Sequence, residues 1–90
     1  MHYVYILKSI ATSDKRYYGA TSDLKQRLKD HNDGKSVHTA KFAPWNLECY
    51  IAFPDKQRAY DFEKYLKSHS GRAFANKHLH QLNQLEVEGK

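Results

Sequence analysis

The chain has 90 residues and a single cysteine, Cys49, so we expect one domain over residues 1–90, without an internal disulfide or a cysteine-based zinc cluster. The hydrophobic content of 40% and charged content of 28% are typical of a globular domain, and the absence of a membrane span or signal peptide predicts a cytoplasmic protein. The formal charge of +5 favours a polyanionic partner, although a basic surface that is merely solvated would carry the same charge.

The first predicted elements are two strands joined by a turn. Residues 2–8 carry apolar or aromatic side chains on both faces, which predicts a central strand covered on two sides. Turn-forming residues occupy 9–15, and residues 16–20 return as the partner strand of a hairpin. Gly19 near its end permits either a bend in the backbone or the close approach of a ligand.

A first helix follows the hairpin. Residues 21–23 predict its start, with a hydroxyl as the N-cap and a carboxylate at the positive end of the helix dipole. The helix is expected to continue to about His31, to bury Leu24 and Leu28, and to end at Gly34 in a left-handed C-terminal cap.

The middle of the chain predicts a basic loop and a third strand. Residues 35–44 form the loop, which suits substrate contacts, and residues 45–53 form the strand. Within that strand Leu47, Cys49 and Ile51 alternate with more polar side chains, so they are expected to share one face.

Two helices complete the predicted fold. They cover residues 56–68 and 72–85, separated by a break at 68–71, and residues 86–90 are expected to fray. The inward positions of these helices are Ala59, Phe62 and Leu66 in the first, and Phe74 or Ala75, His78 or Leu79, Leu82 and Leu85 in the second. The order β-β-α-β-α-α predicts the α+β class, with a three-stranded, mainly antiparallel sheet flanked by helices.

Arg27 and His31 are the first candidates for chemistry. They are four residues apart and therefore lie on one face of the first helix, bordering its apolar stripe at the edge of the core. A guanidinium there can bind a phosphate through two parallel hydrogen bonds, and an imidazole can move a proton. The alternative is a surface arginine and a histidine that suits the negative end of the helix dipole.

The tyrosine pair of the hairpin is the second candidate. A suitable register puts the rings of Tyr5 and Tyr17 on one face, either as core packing with hydroxyls at the rim or as phenols that orient or deprotonate a water beside a cation.

Glu63 is the third candidate, because the helical phase turns its carboxylate toward an apolar face. Such a carboxylate needs a compensating charge, which is either a divalent ion such as Mg²⁺ or a partner such as Arg27 or a lysine. The remaining alternative is that the helical phase is off by one residue. Asn76 has the same character on the last helix, as a polar group close to the inward side.

Taken together, these residues resemble the GIY-YIG nuclease superfamily, and within it the small standalone bacterial members, the UPF0213-like proteins. The two name-giving motifs correspond to Tyr3-Val4-Tyr5 and Tyr17-Tyr18-Gly19. The ordered set that follows comprises Thr21, Asp23, Leu24, Arg27, Leu28, His31, Asn32, Gly34, Thr39, Pro44, Trp45, Leu47, Ala59, Glu63 and Lys67. The resemblance covers about residues 2–80.

The resemblance implies a role for each candidate. Tyr5 and Tyr17 line the active site, with Tyr5 favoured as the phenol that activates water. Arg27 stabilises charge on the transition state, and His31 assists proton transfer or holds the scissile phosphate. The remaining implied roles are a single divalent metal on Glu63, a phosphate or metal-water contact from Asn76, and nucleic-acid binding by Lys35, Lys41, Lys67 and Arg72.

The implied reaction is hydrolysis of DNA that leaves a 5′-phosphate and a 3′-hydroxyl, with Mg²⁺ as the metal and Mn²⁺ as the alternative. Tyr3 and Tyr18 depart from the motif without removing a chemical group, whereas Ala20 and Thr21 stand where some relatives have a candidate lysine base.

No zinc finger or helix-turn-helix is recognised, so we expect selectivity for DNA shape in repair or recombination, or a protein partner. RNA is a weaker alternative substrate. The alternative function is a nucleic-acid-binding module with little catalysis of its own.

Overall fold

A computed structural model describes residues 1–12 and 14–80 of the chain. The elements, in chain order, are β1 (His2–Ser9), β2 (Arg16–Thr21), α1 (Leu24–Asn32), β3 (Trp45–Phe53), α2 (Lys56–Leu66) and α3 (His69–His78). A short 3-10 turn, Ala40–Phe42, lies in the connection between α1 and β3. The predicted element order and the α+β class are confirmed.

The three strands form one antiparallel sheet in the order β2-β1-β3, so β1 is central as predicted. Its side chains alternate between two apolar clusters. Val4 and Ile6 pack with buried residues of α2 and α3, whereas Tyr5 and Leu7 pack with Trp45 and the apolar side of α1. Both faces of β1 are therefore buried, which explains why its sequence lacks polar alternation.

The predicted alternation of β3 is wrong at one point, because a bulge interrupts its pairing with β1. Ile6 pairs with Cys49 but the next residue of β1, Leu7, pairs with Leu47, which leaves Glu48 as an extra residue. Leu47 and Cys49 consequently belong to different clusters on opposite faces of the sheet.

The bulge turns the Glu48 carboxylate inward, and Arg16 of β2 neutralises it. Arg16 donates to both carboxylate oxygens, from Nε at 2.6 Å and from Nη2 at 3.0 Å. The side chain of Glu48 is 1% exposed, so this bidentate pair compensates a charge that would be costly to bury alone. Its contact spans the sheet from β2 to β3.

The ends of α1 follow from local hydrogen bonds. The N-cap is the carboxylate of Asp23, which accepts from the backbone N–H of Gln26 at 3.1 Å, so the expected hydroxyl cap is wrong. The hydroxyl of Thr21 instead accepts from the backbone N–H of Asp23. At the other end Gly34 has φ of 77°, which confirms the left-handed glycine predicted there.

α2 begins as predicted, after Asp55, whose carboxylate accepts from the backbone N–H of Arg58 at 2.8 Å. It ends at Leu66, two residues earlier than expected. α3 begins at His69 because the hydroxyl of Ser68 accepts from the backbone N–H of Gly71 and caps the helix. The predicted break at residues 68–71 is therefore confined to the cap.

Gly71 lies inside the first turn of α3 for a packing reason. A Cβ at this position would overlap the carbonyl oxygen of Tyr65, so only a glycine lets α3 approach the end of α2. α3 ends at His78, earlier than predicted, with Gly71 and Ala75 as its buried residues. Leu82, Leu85 and residues 86–90 lie outside the described residues. None of the described helices combines the length and apolar character needed to cross a membrane.

Candidate active site

A buried chain of polar side chains passes through His31, at the last turn of α1. Its Nε2 atom lies 2.9 Å from the hydroxyl oxygen of Tyr5 on β1, and its Nδ1 atom lies 2.8 Å from the hydroxyl oxygen of Thr39. Tyr5 is 0% exposed, and His31 and Thr39 are 1% exposed. The expected position of His31 at the edge of the core is wrong, because the connection after α1 covers the ring with Thr39.

Trp45 and Asn32 fix the position of Thr39. The indole Nε1–H of Trp45 donates to the carbonyl oxygen of Thr39 at 3.0 Å. The backbone N–H of Trp45 donates to the side-chain oxygen of Asn32, and the amide of Asn32 donates to the carbonyl of Trp45 at 3.1 Å. The end of α1 and the start of β3 are thus tied together, and Thr39 is held between them.

Gly19 makes room for the Tyr5 ring. The two residues face each other across β1 and β2 in the antiparallel register. A Cβ at position 19 would overlap the hydroxyl oxygen and the Cζ atom of Tyr5. The close approach that the sequence indicates at this glycine is therefore made by a side chain of the protein itself.

Tyr17 and Arg27 form the outer part of the site. Tyr17 lies on the same face as Tyr5, as predicted, with its ring centroid 6.3 Å from that of Tyr5 and 4.9 Å from that of His31. Tyr17 is partly exposed and Arg27 is exposed, and the positive charge of Arg27 acts on the pKa values of Tyr5 and His31. A ligand approaching from solvent would therefore meet Tyr17 and Arg27 before the buried pair.

Burial sets the protonation of the inner pair. It raises the pKa of the Tyr5 phenol above its usual value, against an opposing effect of the hydrogen bond and charge of Arg27. Burial, followed by the positive charge of Arg27, lowers the pKa of His31. At neutral pH Tyr5 therefore keeps its proton and His31 is uncharged.

Glu63 of α2 carries a partly exposed carboxylate. Its negative charge is the smallest of the named influences that raise the pKa of Tyr5. The Nζ atom of Lys67 lies 2.8 Å from Glu63, whose side chain is 22% exposed. A lysine therefore compensates the carboxylate, which is one of the two alternatives left open by the sequence.

The described residues contain no group of three or more His, Cys, Asp or Glu side chains that could hold a metal ion. This finding argues against a closed zinc or calcium site within that part of the chain. Mg²⁺ differs because it often takes one or two carboxylates and keeps several water ligands. A single, partly exposed carboxylate such as Glu63 fits that chemistry.

Asn76 makes its hydrogen bond away from the Tyr5 group. Its side-chain oxygen lies 2.7 Å from Nδ1 of His80, and Nε2 of His80 lies 2.9 Å from the hydroxyl of Tyr18. Tyr18 packs with the cluster of α2 and α3, on the opposite face of the sheet from Tyr17. These contacts link the end of α3 to β2, and they do not join Asn76 to the other candidates.

The four predicted DNA-binding cations are dispersed. Lys35 lies 3.8 Å from Asp30, and Lys41 stacks over Phe42, both in the connection after α1. Lys67 pairs with Glu63 on α2, and Arg72 is exposed on α3. Of the four, only Lys67 directly contacts another of the candidate site residues.

Sequence reasoning gave no role to Thr39 and did not connect Gly19 to Tyr5. Thr39 lies in a connection whose residues are mostly exposed, and no periodicity marks one loop residue as buried. Its presence in the ordered motif was the only signal. The partner of Gly19 would have followed from the hairpin register, which the turn residues do not determine by themselves.

Comparison with protein families gives one match over most of the chain. A model of the GIY-YIG catalytic domain matches residues 1–78. That range includes all the candidates of the buried and outer parts of the site.

Two kinds of relative are similar to the chain. UPF0213 protein BH0048 of Halalkalibacterium halodurans is 38% identical over 72 residues, covering 79% of this chain and 74% of the relative. The structure-specific endonuclease subunit SLX1 of Debaryomyces hansenii is 35% identical over 71 residues, covering 71% of this chain. The chain spans 20% of that relative and 28% of the SLX1 of Candida dubliniensis.

A solved structure has the same fold. The solution NMR structure of the UPF0213 protein BH0048 from Bacillus halodurans aligns with a TM-score of 0.51 at 33% identity. The alignment covers 84% of this chain and 82% of that one.

Proposed function

The chain belongs to the GIY-YIG catalytic domain family, and on that premise we propose that it is a divalent-metal-dependent endonuclease that hydrolyses phosphodiester bonds in DNA. The observation that carries the proposal is the layered site on one face of the hairpin. Tyr17 and Arg27 are accessible, and the hydrogen-bonded pair of Tyr5 and His31 lies directly beneath them.

Arg27 is the residue that binds and stabilises the scissile phosphate. A guanidinium presents two parallel N–H donors, which match the oxygens of a phosphate and of the more highly charged transition state. Its charge acts on both Tyr5 and His31, which supports a place for Arg27 in this group. The expected effect of Arg27 is therefore mainly on turnover.

Tyr17 is the better candidate for contact with the attacking water. The sequence favoured Tyr5 for this role, but the Tyr5 side chain is 0% exposed and its hydroxyl already faces His31. Tyr17 lies beside the same imidazole and is partly exposed. His31 is likewise buried, so it serves the reaction through Tyr5 and Tyr17 rather than by holding the phosphate itself.

Glu63 is the residue that would hold the divalent ion, Mg²⁺ or alternatively Mn²⁺. When bound, such an ion polarises a phosphoryl oxygen and lowers the pKa of a coordinated water. Lys67 pairs with one oxygen of the Glu63 carboxylate, Oε2, and it would be available to a DNA phosphate wherever a bound ion displaced that pair. Asn76 retains a supporting role only if its contact with His80 opens.

Selectivity for DNA shape is part of the proposal, with repair or recombination as its setting. Two relatives are named subunits of a structure-specific endonuclease, but this chain spans only 20% and 28% of their lengths. Flaps, branches or single strands are the expected substrates, DNA is favoured over RNA, and a protein partner is expected to supply further specificity. Lys35, Lys41 and Arg72 are candidate contacts to the DNA backbone, and a cytoplasmic location stays a prediction.

The test is a cleavage assay on labelled single-stranded, duplex, flap and four-way-junction DNA, each with Mg²⁺ or with EDTA. We expect cleavage in Mg²⁺, none in EDTA, and a preference for a branched or single-stranded substrate. Cleavage must also co-elute with the protein in a final gel-filtration step, which excludes a contaminating nuclease. Equal cleavage in EDTA would contradict metal dependence, and cleavage of all four shapes at one rate would contradict shape selectivity.

A nucleic-acid-binding module is the second candidate. The observation in its favour is that the free chain keeps Tyr5 fully buried and Glu63 paired with Lys67. Tight binding of branched DNA without cleavage under Mg²⁺ or Mn²⁺ would favour this alternative and would direct attention to the missing partner.

A further inference from the structure

The hydrogen-bonded chain through His31 ends on a residue that has no assigned function, Thr39. Its hydroxyl lies 2.8 Å from Nδ1 of His31 and 3.5 Å from the carbonyl oxygen of Ser36. Thr39 is 1% exposed, so no solvent molecule competes for its hydroxyl from outside. The chain therefore runs from a backbone carbonyl through Thr39 and His31 to Tyr5.

The donor and acceptor chemistry gives this chain a direction. A carbonyl oxygen can only accept, so the long contact to Ser36 is a donation from the Thr39 hydroxyl, and a hydroxyl turned that way leaves its oxygen to accept from Nδ1–H of His31. A neutral imidazole carries one N–H, and with that proton on Nδ1 the Nε2 atom must be an acceptor. Tyr5 then donates its phenolic proton to Nε2 of His31.

The opposite end of the chain is consistent with this direction. Arg27 has donors only, so any hydrogen bond it makes to Tyr5 must end on the phenolic oxygen. With the Tyr5 proton turned toward His31, that oxygen presents its lone pairs to the guanidinium. If His31 carried its proton on Nε2 instead, the Tyr5 proton would turn outward and compete with Arg27 for the same space.

From this geometry we infer that Thr39 is a positioning residue, which holds the proton of His31 on Nδ1 so that Tyr5 donates its phenolic proton inward, to Nε2 of His31. Thr39 itself does not touch the substrate, and its effect on cleavage passes through His31, Tyr5 and Arg27. The effect on catalysis rests on the proposed nuclease function, whereas the tautomer of His31 does not.

The direct test is the tautomer of His31 in the wild-type protein, read from the ¹⁵N chemical shifts and two-bond couplings of its imidazole at pH 7.5. We expect the Nδ1–H tautomer to predominate. A predominant Nε2–H tautomer in the folded wild type would overturn the inference, whether or not the protein cleaves DNA.

Two substitutions then test the consequence of that assignment. Thr39→Val keeps nearly the same shape but removes the acceptor, and Thr39→Ser keeps the hydroxyl and loses only a methyl group. Thr39→Val should mix or reverse the tautomer and lower kcat about 10- to 100-fold, as for other partners that fix the orientation of a histidine. Thr39→Ser should restore the Nδ1–H tautomer and most of the activity.

Three outcomes distinguish the possibilities. Thr39→Val with a wild-type tautomer and wild-type kcat would refute the positioning role. Equal losses in both variants would mean that packing by the methyl group matters and the hydroxyl does not, which also refutes it. If the wild type has the Nδ1–H tautomer, Thr39→Val loses it, and neither protein cleaves any DNA, then the structural inference is supported and the proposed nuclease function fails.

Discussion

Gly19→Ala is expected to disable the site by pushing the Tyr5 ring out of place. The new Cβ would lie 2.9 Å from Cε2 of Tyr5 and still closer to Cζ and the hydroxyl oxygen. Ordinary contacts between carbon atoms are about 3.5–4.0 Å, so the ring must shift by about 1 Å or more. A shift of that size would break the 2.9 Å hydrogen bond between Tyr5 and His31.

The loss of stability in Gly19→Ala has two contributions. Overpacking of a tight interior site costs about 1–3 kcal/mol, and the lost hydrogen bond adds about 1 kcal/mol. We therefore expect the free energy of unfolding to fall by about 2–4 kcal/mol, measured by urea denaturation. Cleavage should be lost even where the variant remains folded, because Tyr5 can no longer form its hydrogen bond to His31.

Gly34→Ala is the matched control. Gly34 has φ of 77° and no atom within 4 Å of an added Cβ, so this alanine meets backbone strain without any clash. It should cost about 1 kcal/mol and leave cleavage unchanged in the folded protein.

A second background tests the clash directly. Tyr5→Leu removes the ring, so adding Gly19→Ala to that variant should lower the free energy of unfolding much less than it does in the wild type. A Gly19→Ala protein with wild-type stability and activity would refute the account of why this glycine is present. If Gly19→Ala lowers the free energy of unfolding as much in Tyr5→Leu as in the wild type, then the clash with the ring is not the cause.

Two further predictions concern pH and Arg27. Burial lowers the pKa of His31 below its value in the unfolded chain. As the pH falls through about 6.5, the unfolded state therefore takes up a proton that the folded state does not bind. The free energy of unfolding should decrease over that pH range. Urea denaturation at pH 7.5 and 5.5 should show this loss, with a flatter dependence in His31→Gln; a wild type more stable at pH 5.5 would contradict the buried, neutral imidazole. Arg27→Ala should lower kcat by about a thousandfold, with Arg27→Lys only partly active, while affinity for DNA in EDTA changes little. A loss of affinity as large as the loss of turnover would show that Arg27 merely binds DNA.

Most of the fold follows from local patterns that the sequence displays. The two-sided apolar run of β1 and the start of α2 after Asp55 follow directly from neighbouring residues, whereas at the start of α1 the sequence offered a hydroxyl cap in place of the Asp23 carboxylate. Helix spacing was also enough to bring Arg27 and His31 to one face of α1. These features depend on neighbours within a few positions, which is why a single sequence reveals them.

The features that the sequence did not predict depend on contacts between distant segments. The bulge at Glu48 reverses the face on which the following residues of β3 lie. The carboxylate of Glu48 is compensated by Arg16 of β2, which is not adjacent to β3 in the sheet. The burial of His31 requires Thr39, which the loop brings back over the ring. Gly71 looks like a helix breaker in the sequence, but it is retained within α3 because α2 passes close by.

Glu63 is the residue proposed to support metal-dependent cleavage at this site. The most direct test is the single-turnover rate of Mg²⁺-dependent cleavage of the preferred DNA by wild type and by Glu63→Gln, with Lys67→Gln as the control that removes the other half of the ion pair. All three proteins are measured at saturating concentration, so that the DNA contact proposed for Lys67 does not enter the rate. We expect a loss of at least about 100-fold in Glu63→Gln, since a bound metal contributes several kcal/mol to transition-state stabilisation, and unchanged DNA affinity in EDTA. A Glu63→Gln protein that cleaves at the wild-type rate, or a Lys67→Gln protein that loses as much activity as Glu63→Gln, would contradict it.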